Sequence, residues 1–283
     1  MSLIFHISFA TYRNREELVR AGVVPLLLNL LQGSCLSLSS KEVAILVLWS
    51  ISCLQENKLQ NCLSKAVQLL VEHLDSGSTQ GIKDALSTLL NLSSFLGNQI
   101  CIAKANVVPK VIHLLSIDEE ICTGKCKDTE LVAKCLSILY RLCSIEDGRN
   151  GIMESENGIS CLVDMLDTGT QMEKEQVAAI FLVISSYSSH HSQIILEEGI
   201  IPSLVMISVN GTERGKIKAQ KLLQHFRQQR QKESTWHSAP QVSSLPLSNT
   251  LSSVDGKCIS GKKTGRPSFA SVWRSKSLSF YRC

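Results

Sequence analysis

Aromatic side chains are scarce in this sequence: Phe, Tyr and Trp supply 5% of 283 residues, against 44% apolar residues overall. A core built from so few rings has to be filled by Leu, Ile and Val. Long apolar runs are also missing. The most hydrophobic segment, "VAILVLWSIS" (43–52), stops between Lys41-Glu42 and Gln55-Glu56, short of the ~18 residues that a membrane-spanning helix needs. The opening "MSLIFHISFA" has no basic n-region and runs directly into "TYRNREELVR", so it does not read as a signal peptide. No CxxC pair is present. The only close cysteine pair is Cys122 and Cys126, with His113 the one histidine near it in sequence, which is too little for a zinc site. Neither a Ser/His/Asp grouping nor a phosphate-cradling glycine loop can be assembled. The sequence therefore predicts no catalytic residue, no metal and no cofactor.

What the chain does have is unevenly placed. The net charge is +4, yet the residues from Ser234 onward hold seven basic side chains against Asp255 alone, while the first 233 hold 22 basic and 24 acidic ones. A nearly neutral body with a positive appendage is not the footprint of a nucleic-acid-binding domain. Of the eleven cysteines, Cys53, Cys62, Cys101, Cys135, Cys143 and Cys161 sit inside apolar helical patterns. They read as small core residues in a reducing compartment.

The dominant signal is an internal repeat of two alternating motifs. A shorter one occurs as "AGVVPLLLNLL" (21–31), "SKAVQLLVEHL" (64–74), "ANVVPKVIHLL" (105–115), "ENGISCLVDML" (156–166) and "EEGIIPSLVMI" (197–207). A longer helix follows each: 43–52, 84–93, 134–143, 178–187 and 218–227. Aligned on Ala44, Ala85, Cys135, Ala179 and Ala219, the longer helices recur at spacings of 41, 50, 44 and 40 residues. This is the armadillo/HEAT period. The one stretched interval contains "SIDEEICTGKCKDTE" (116–130), read as a polar loop inserted within the third unit, where added loop length is tolerated.

Each unit reads as a short helix, a break at Gly or Asn (Gly22, Asn106, Gly158, Gly199), a second helix with proline in its first turn (Pro25, Pro109, Pro202), and a long third helix. The third helices are apolar over most of their circumference, as at Leu86, Leu89, Leu90 and Leu92, and must be buried between neighbours. The predicted fold is therefore all-α: a right-handed armadillo superhelix of about five repeats over residues 14–231 (about 14–55, 56–97, 98–146, 147–189 and 190–231). Residues 1–13 are an irregular start. The Ser-rich basic stretch 232–283 reads as a disordered tail. "NGTERGKIKAQKLLQHFRQQRQ" (210–231) becomes the fifth third-helix, with Ile217, Leu222, Leu223 and Phe226 on its apolar side and a basic face capping the stack. "HH" at 190–191 is placed in a loop.

At the C-terminal repeat a resemblance appears. "EEGIIPSLVMISVNGTERGKIKAQKLLQHFRQQRQ" (197–231) is similar to the closing repeat of the plant U-box/armadillo E3 ubiquitin ligases, in which "GVIPSLV-ISVNGT-RG---AQKLL--FR--R" recurs. The terminal "KKTGRPSFASVWRSKSLSFYRC" (262–283) resembles the C-terminus of one subgroup. The resemblance implies an armadillo array that binds a protein substrate or a receptor-like kinase. It also implies a U-box that recruits the E2 and lies outside residues 1–13, so the chain is expected to be a short form without catalytic activity of its own. An E2 is a partner only if a U-box lies upstream. The implied location is cytoplasmic, with the nucleus and the plasma-membrane surface as alternatives. A non-ligase armadillo scaffold in signalling is the competing reading.

Import-type armadillo arrays hold extended peptides on a ladder of Asn along the third helices. The corresponding positions here are Ser50, Asn91, Arg141, Ser185 and His225. One Asn in five argues against an import adaptor, but Ser50, Asn91, Arg141 and Ser185 on the concave face remain the candidate partner-binding residues. The tail end interleaves Phe269, Trp273, Phe280 and Tyr281 with Arg274, Lys276 and Arg282, a mixture suited to a docking peptide or a weak contact with an anionic membrane surface.

Overall fold

A computed structural model describes residues 12–33, 37–54, 63–120 and 128–237, and among them every regular element is a helix. They fall into five successive groups. The first is α1 (Tyr12–Arg20), α2 (Val23–Gln32) and α3 (Leu38–Ser52); the second is α4 (Leu63–Ser76) and α5 (Thr79–Leu92). The third comprises α6 (Leu96–Lys104), α7 (Val107–Glu120) and α8 (Thr129–Leu142). The fourth comprises α9 (Glu146–Glu154), α10 (Gly158–Thr168) and α11 (Gln171–Tyr187). The fifth comprises α12 (Ser189–Glu197), α13 (Ile201–Asn210) and α14 (Glu213–His237). Third helices pack in a continuous row, α3 on α5, α5 on α8, α8 on α11 and α11 on α14, while the second helices α2, α4, α7, α10 and α13 form a parallel row beside them. This is an α-solenoid in which each unit buries its apolar face only against its neighbours.

The punctuation follows from backbone chemistry. The chain turns from first to second helix through a residue with positive φ, Gly22 (79°), Asn106 (61°), Asn157 (55°) and Gly199 (80°), the region that Gly and Asn tolerate best. In the fourth unit the turn residue is thus Asn157 rather than Gly158. Gly158 is already helical, and a Cβ there would lie 2.5 Å from the Ile152 carbonyl oxygen. Pro202 occupies the first turn of α13, where its missing N–H has no partner to lose.

Third-helix starts carry a second repeated device. Ser37, Ser78, Asp128, Thr170 and Thr212 each accept the backbone N–H three residues on, from Ser40, Gly81, Leu131, Glu173 and Gly215. At Thr170 the Glu173 carboxylate returns a bond from the Thr170 N–H, completing a capping box. Third-helix ends are closed from the following first helix. Asn98 and Gln99 donate to the carbonyls of Leu92 and Ser93, Arg149 to those of Cys143 and Ser144, and Ser192 to those of Ser185 and Ser188. Carbonyls that would be orphaned in the interior are thereby satisfied.

Several expectations change. The stretch 116–130 is not a loop throughout: α7 continues to Glu120, and Asp128 already caps α8. His190 and His191 lie in α12, whose start is capped by Ser188. Ile217 is 52% exposed, whereas Leu222 and Phe226 are buried as expected. Cys135, Cys143 and Cys161 are core residues, but Cys53 is exposed at the end of α3. Burial pushes the Cys143 thiol up to about 12, which leaves it inert. Residues 1–11, Cys62, Cys122, Cys126 and the stretch from 238 onward lie outside the described residues.

Candidate protein-binding surface

The five caps place the third helices in register with one another. Successive caps are 41, 50, 42 and 42 residues apart, so the position occupied by Asn91 and Arg141 is Ser50 in the first unit, Val183 in the fourth and His225 in the fifth. Ser185 is two residues out of register. Alignment on Ala179 misplaces it, because the position held by Ala44, Ala85, Cys135 and Ala219 is taken in that helix by the larger Val177. Ser185 is 1% exposed, and Ser50 is 2% exposed; neither offers its side chain to a partner on the folded surface.

Asn91 and Arg141 behave differently. Asn91 Nδ2 donates to Ser52 Oγ at 3.0 Å and to Cys53 Sγ at 3.3 Å, so it reaches back from α5 to the end of α3. Arg141 repeats the move one unit later, donating to the Leu90 carbonyl at 2.8 Å and to Ser94 Oγ. Both remain half-exposed, with Tyr140, Ser94 and Ser144 open to solvent around Arg141. Burial lowers the Arg141 pKa from its ordinary value, yet a guanidinium stays charged. Its partners here are neutral, so this stretch of the row presents a cation with spare donors. Val183 has no polar atom to continue the series, and His225 Nε2 lies 3.4 Å from Ser192 Oγ.

Other polar groups on the row join one repeat to the next. Lys83 Nζ meets Asp128 at 2.6 Å and Glu130 at 3.4 Å, and Lys134 meets Glu130 at 2.6 Å. Burial pushes the Asp128 carboxyl up, but Lys83 and the Leu131 N–H together outweigh it and the net shift is downward. Glu175 accepts from Thr212 Oγ1 and, at 2.9 Å, from Lys218 Nζ. Burial raises its pKa and these donors more than reverse that. These groups balance one another and add no reactive centre. Among the described residues no cluster of three His, Cys, Asp or Glu has metal-binding geometry.

Comparison with known proteins assigns the chain to a family. A family profile described as "Plant U-box protein ARM repeat region" matches residues 65–244, and "Armadillo/beta-catenin-like repeat" matches residues 11–53. The chain belongs to the plant U-box ARM-repeat family. Among Arabidopsis thaliana relatives, U-box domain-containing protein 45 is 34% identical over 99% of this chain and 36% of its own length. U-box domain-containing protein 7 is 35% identical over 81% of this chain and 28% of its own length. The chain thus spans about a third of the length of these plant U-box ARM relatives. Among solved structures, a designed armadillo repeat protein in complex with the peptide (KR)4 superposes with a TM-score of 0.65 at 20% identity, covering 80% of this chain and 90% of that one. Computationally designed armadillo repeat proteins for modular peptide recognition give 0.67 at 19% identity, covering 78% and 90%. These likenesses establish the armadillo fold.

Proposed function

We propose that this chain is the partner-binding armadillo portion of a U-box type E3 ubiquitin ligase, and that it holds a protein substrate or a receptor-like kinase along the row of third helices. The family assignment supports the ligase context. The observation that carries the binding role is local: Asn91 and Arg141, on successive third helices, both keep part of their surface in solvent, and Arg141 has N–H donors to spare and no acidic partner among the described residues. A ligase of this kind works by holding substrate and charged E2 together, so its contribution is proximity. The armadillo row supplies the substrate side of that arrangement.

Two reactions test the proposal. Residues 1–283 with E1, E2 and ubiquitin are expected to give no transfer to a bound protein. Fusion of a U-box ahead of Thr11 is expected to produce transfer, and Asn91→Ala with Arg141→Glu to remove it. Transfer by the unfused chain, or transfer by the fusion that ignores the double substitution, would contradict the reading.

A further inference from the structure

The second helix of the last repeat breaks a pattern that holds in the other four. The position facing the following repeat is buried in every earlier unit, at Leu28, Val71, Ile112 and Val163, because the next second helix covers it. Its counterpart in α13, Val205, is 46% exposed. The outward positions beside it are Asn29, Glu72, His113 and Asp164, and then Gln32, Asp75, Ser116 and Asp167, all polar. In α13 they become Met206 and Val209, 60% and 65% exposed. Pro202, Val205, Met206 and Val209 follow the i, i+3, i+4, i+7 spacing of one helical face, and that face is in solvent. The opposite face, with Ile200, Leu204 and Ile207, is buried, so α13 is apolar on two opposite faces where the earlier second helices are apolar on one.

Its neighbour α14 is built otherwise. Where Ile45, Leu86, Leu136 and Ala178 are fully buried between repeats, the fifth unit has Gln220, and Lys221, Gln224 and Arg227 continue the same exposed side. That side is polar and positive, a proper terminal cap. The end of the described array therefore presents an apolar stripe on α13 alongside a basic stripe on α14. Of the acids near α13, Asp167 accepts from Ser203 Oγ, Asp164 is one repeat away on α10, Glu213 pairs with Lys216 at 2.9 Å, Glu197 accepts from Gln193, and Glu198 stands exposed at the turn into α13, at the end of the helix opposite Val209.

We infer that this end face is a second docking surface, separate from the row of third helices, and that it takes an amphipathic helix whose apolar stripe is flanked by Asp or Glu. Such a helix lies where a sixth second helix would lie, its apolar side on Val205, Met206 and Val209 and its acidic flank on Lys221 and Arg227. Charge decides the occupant. A second copy in two-fold contact would bring two basic α14 stripes together, and a basic helix would meet the same repulsion.

The test uses two synthetic helices of about five turns, identical in their Leu stripe but flanked by Glu in one and by Lys in the other, titrated against the full chain. The Glu-flanked helix is expected to bind about tenfold tighter or more, and to weaken as salt is raised from about 50 to about 500 mM. Met206→Lys with Val209→Lys, both on the surface and checked for unchanged circular dichroism, is expected to weaken it about tenfold. Lys221→Glu with Arg227→Glu is expected to invert the preference between the two helices. Asn91→Ala with Arg141→Glu is expected to leave this binding unchanged, so failure here and failure of the third-helix site are separable. Equal binding of both helices, indifference to the Met206/Val209 pair, or a dimer of the chain alone that those substitutions dissociate would each overturn the assignment.

Discussion

His73 shows how a single buried group ties this stack to solution conditions. It sits in α4 at 5% exposure, with Nε2 4.0 Å from Glu42 Oε1 and in a slot formed by two glycines. A Cβ at Gly77 or Gly81 would lie 2.6 or 2.7 Å from that nitrogen. Burial lowers the His73 pKa below its ordinary 6.5; Glu42 opposes the shift and Lys41 adds to it. The fold therefore favours the neutral ring. Its contribution to stability is fully present above about pH 6.5 and is lost as the pH falls from there toward the lowered folded value. His191 shifts the same way, through burial first and then His190 and Arg149. The thermal midpoint is expected to fall between about pH 6.5 and 5, and His73→Gln to fall less steeply. Parallel curves for the two proteins would show that His73 does not titrate against the fold. Nothing in the sequence marks His73 out, because its burial depends on two glycines, Gly77 just past the end of α4 and Gly81 in the first turn of α5, that leave room for the ring.

At the scale of elements, the helices and their order were legible. Leu, Ile and Val at helical spacing, proline in the first turns of α2, α7 and α13, and Gly or Asn at the positive-φ turns all act locally, and local signals survive in a linear text. Register was less legible. Matching third helices on a small core residue slips by two in the fourth unit, since Val177 holds that position there and the nearby Ala179 looks like the match. The caps would have prevented this, because Ser37, Ser78, Asp128, Thr170 and Thr212 occupy one position with one role, three residues before the N–H each accepts. They escaped notice because three residue types share the role. Thr170→Ala, which removes the capping box of α11, is expected to destabilise the protein by ~1 kcal/mol, read as a shift in denaturation midpoint at unchanged slope. No measurable shift would mean that α11 is held by its buried face alone.

For the molecule as a whole, a stack of like units explains why exposure was the hardest property to read. Val163 and Val205 are the same residue at the same position, yet one is buried and the other open, and only the presence of a following repeat distinguishes them. Ser185 is buried for a related reason, since it lies two residues away from the position of Asn91 and Arg141, whereas Ser50 holds that position and is buried all the same. Asn91 and Arg141 each reach back across a repeat boundary and keep part of their surface in solvent, which leaves them as the candidates that the proposal rests on. The central claim is that the row through these residues binds proteins, and a displayed library of random peptides panned against the chain tests it most directly. Enriched peptides are expected to lose about tenfold or more in affinity for the Asn91→Ala, Arg141→Glu variant; peptides that bind the variant as tightly as the native chain would contradict a binding role for the row.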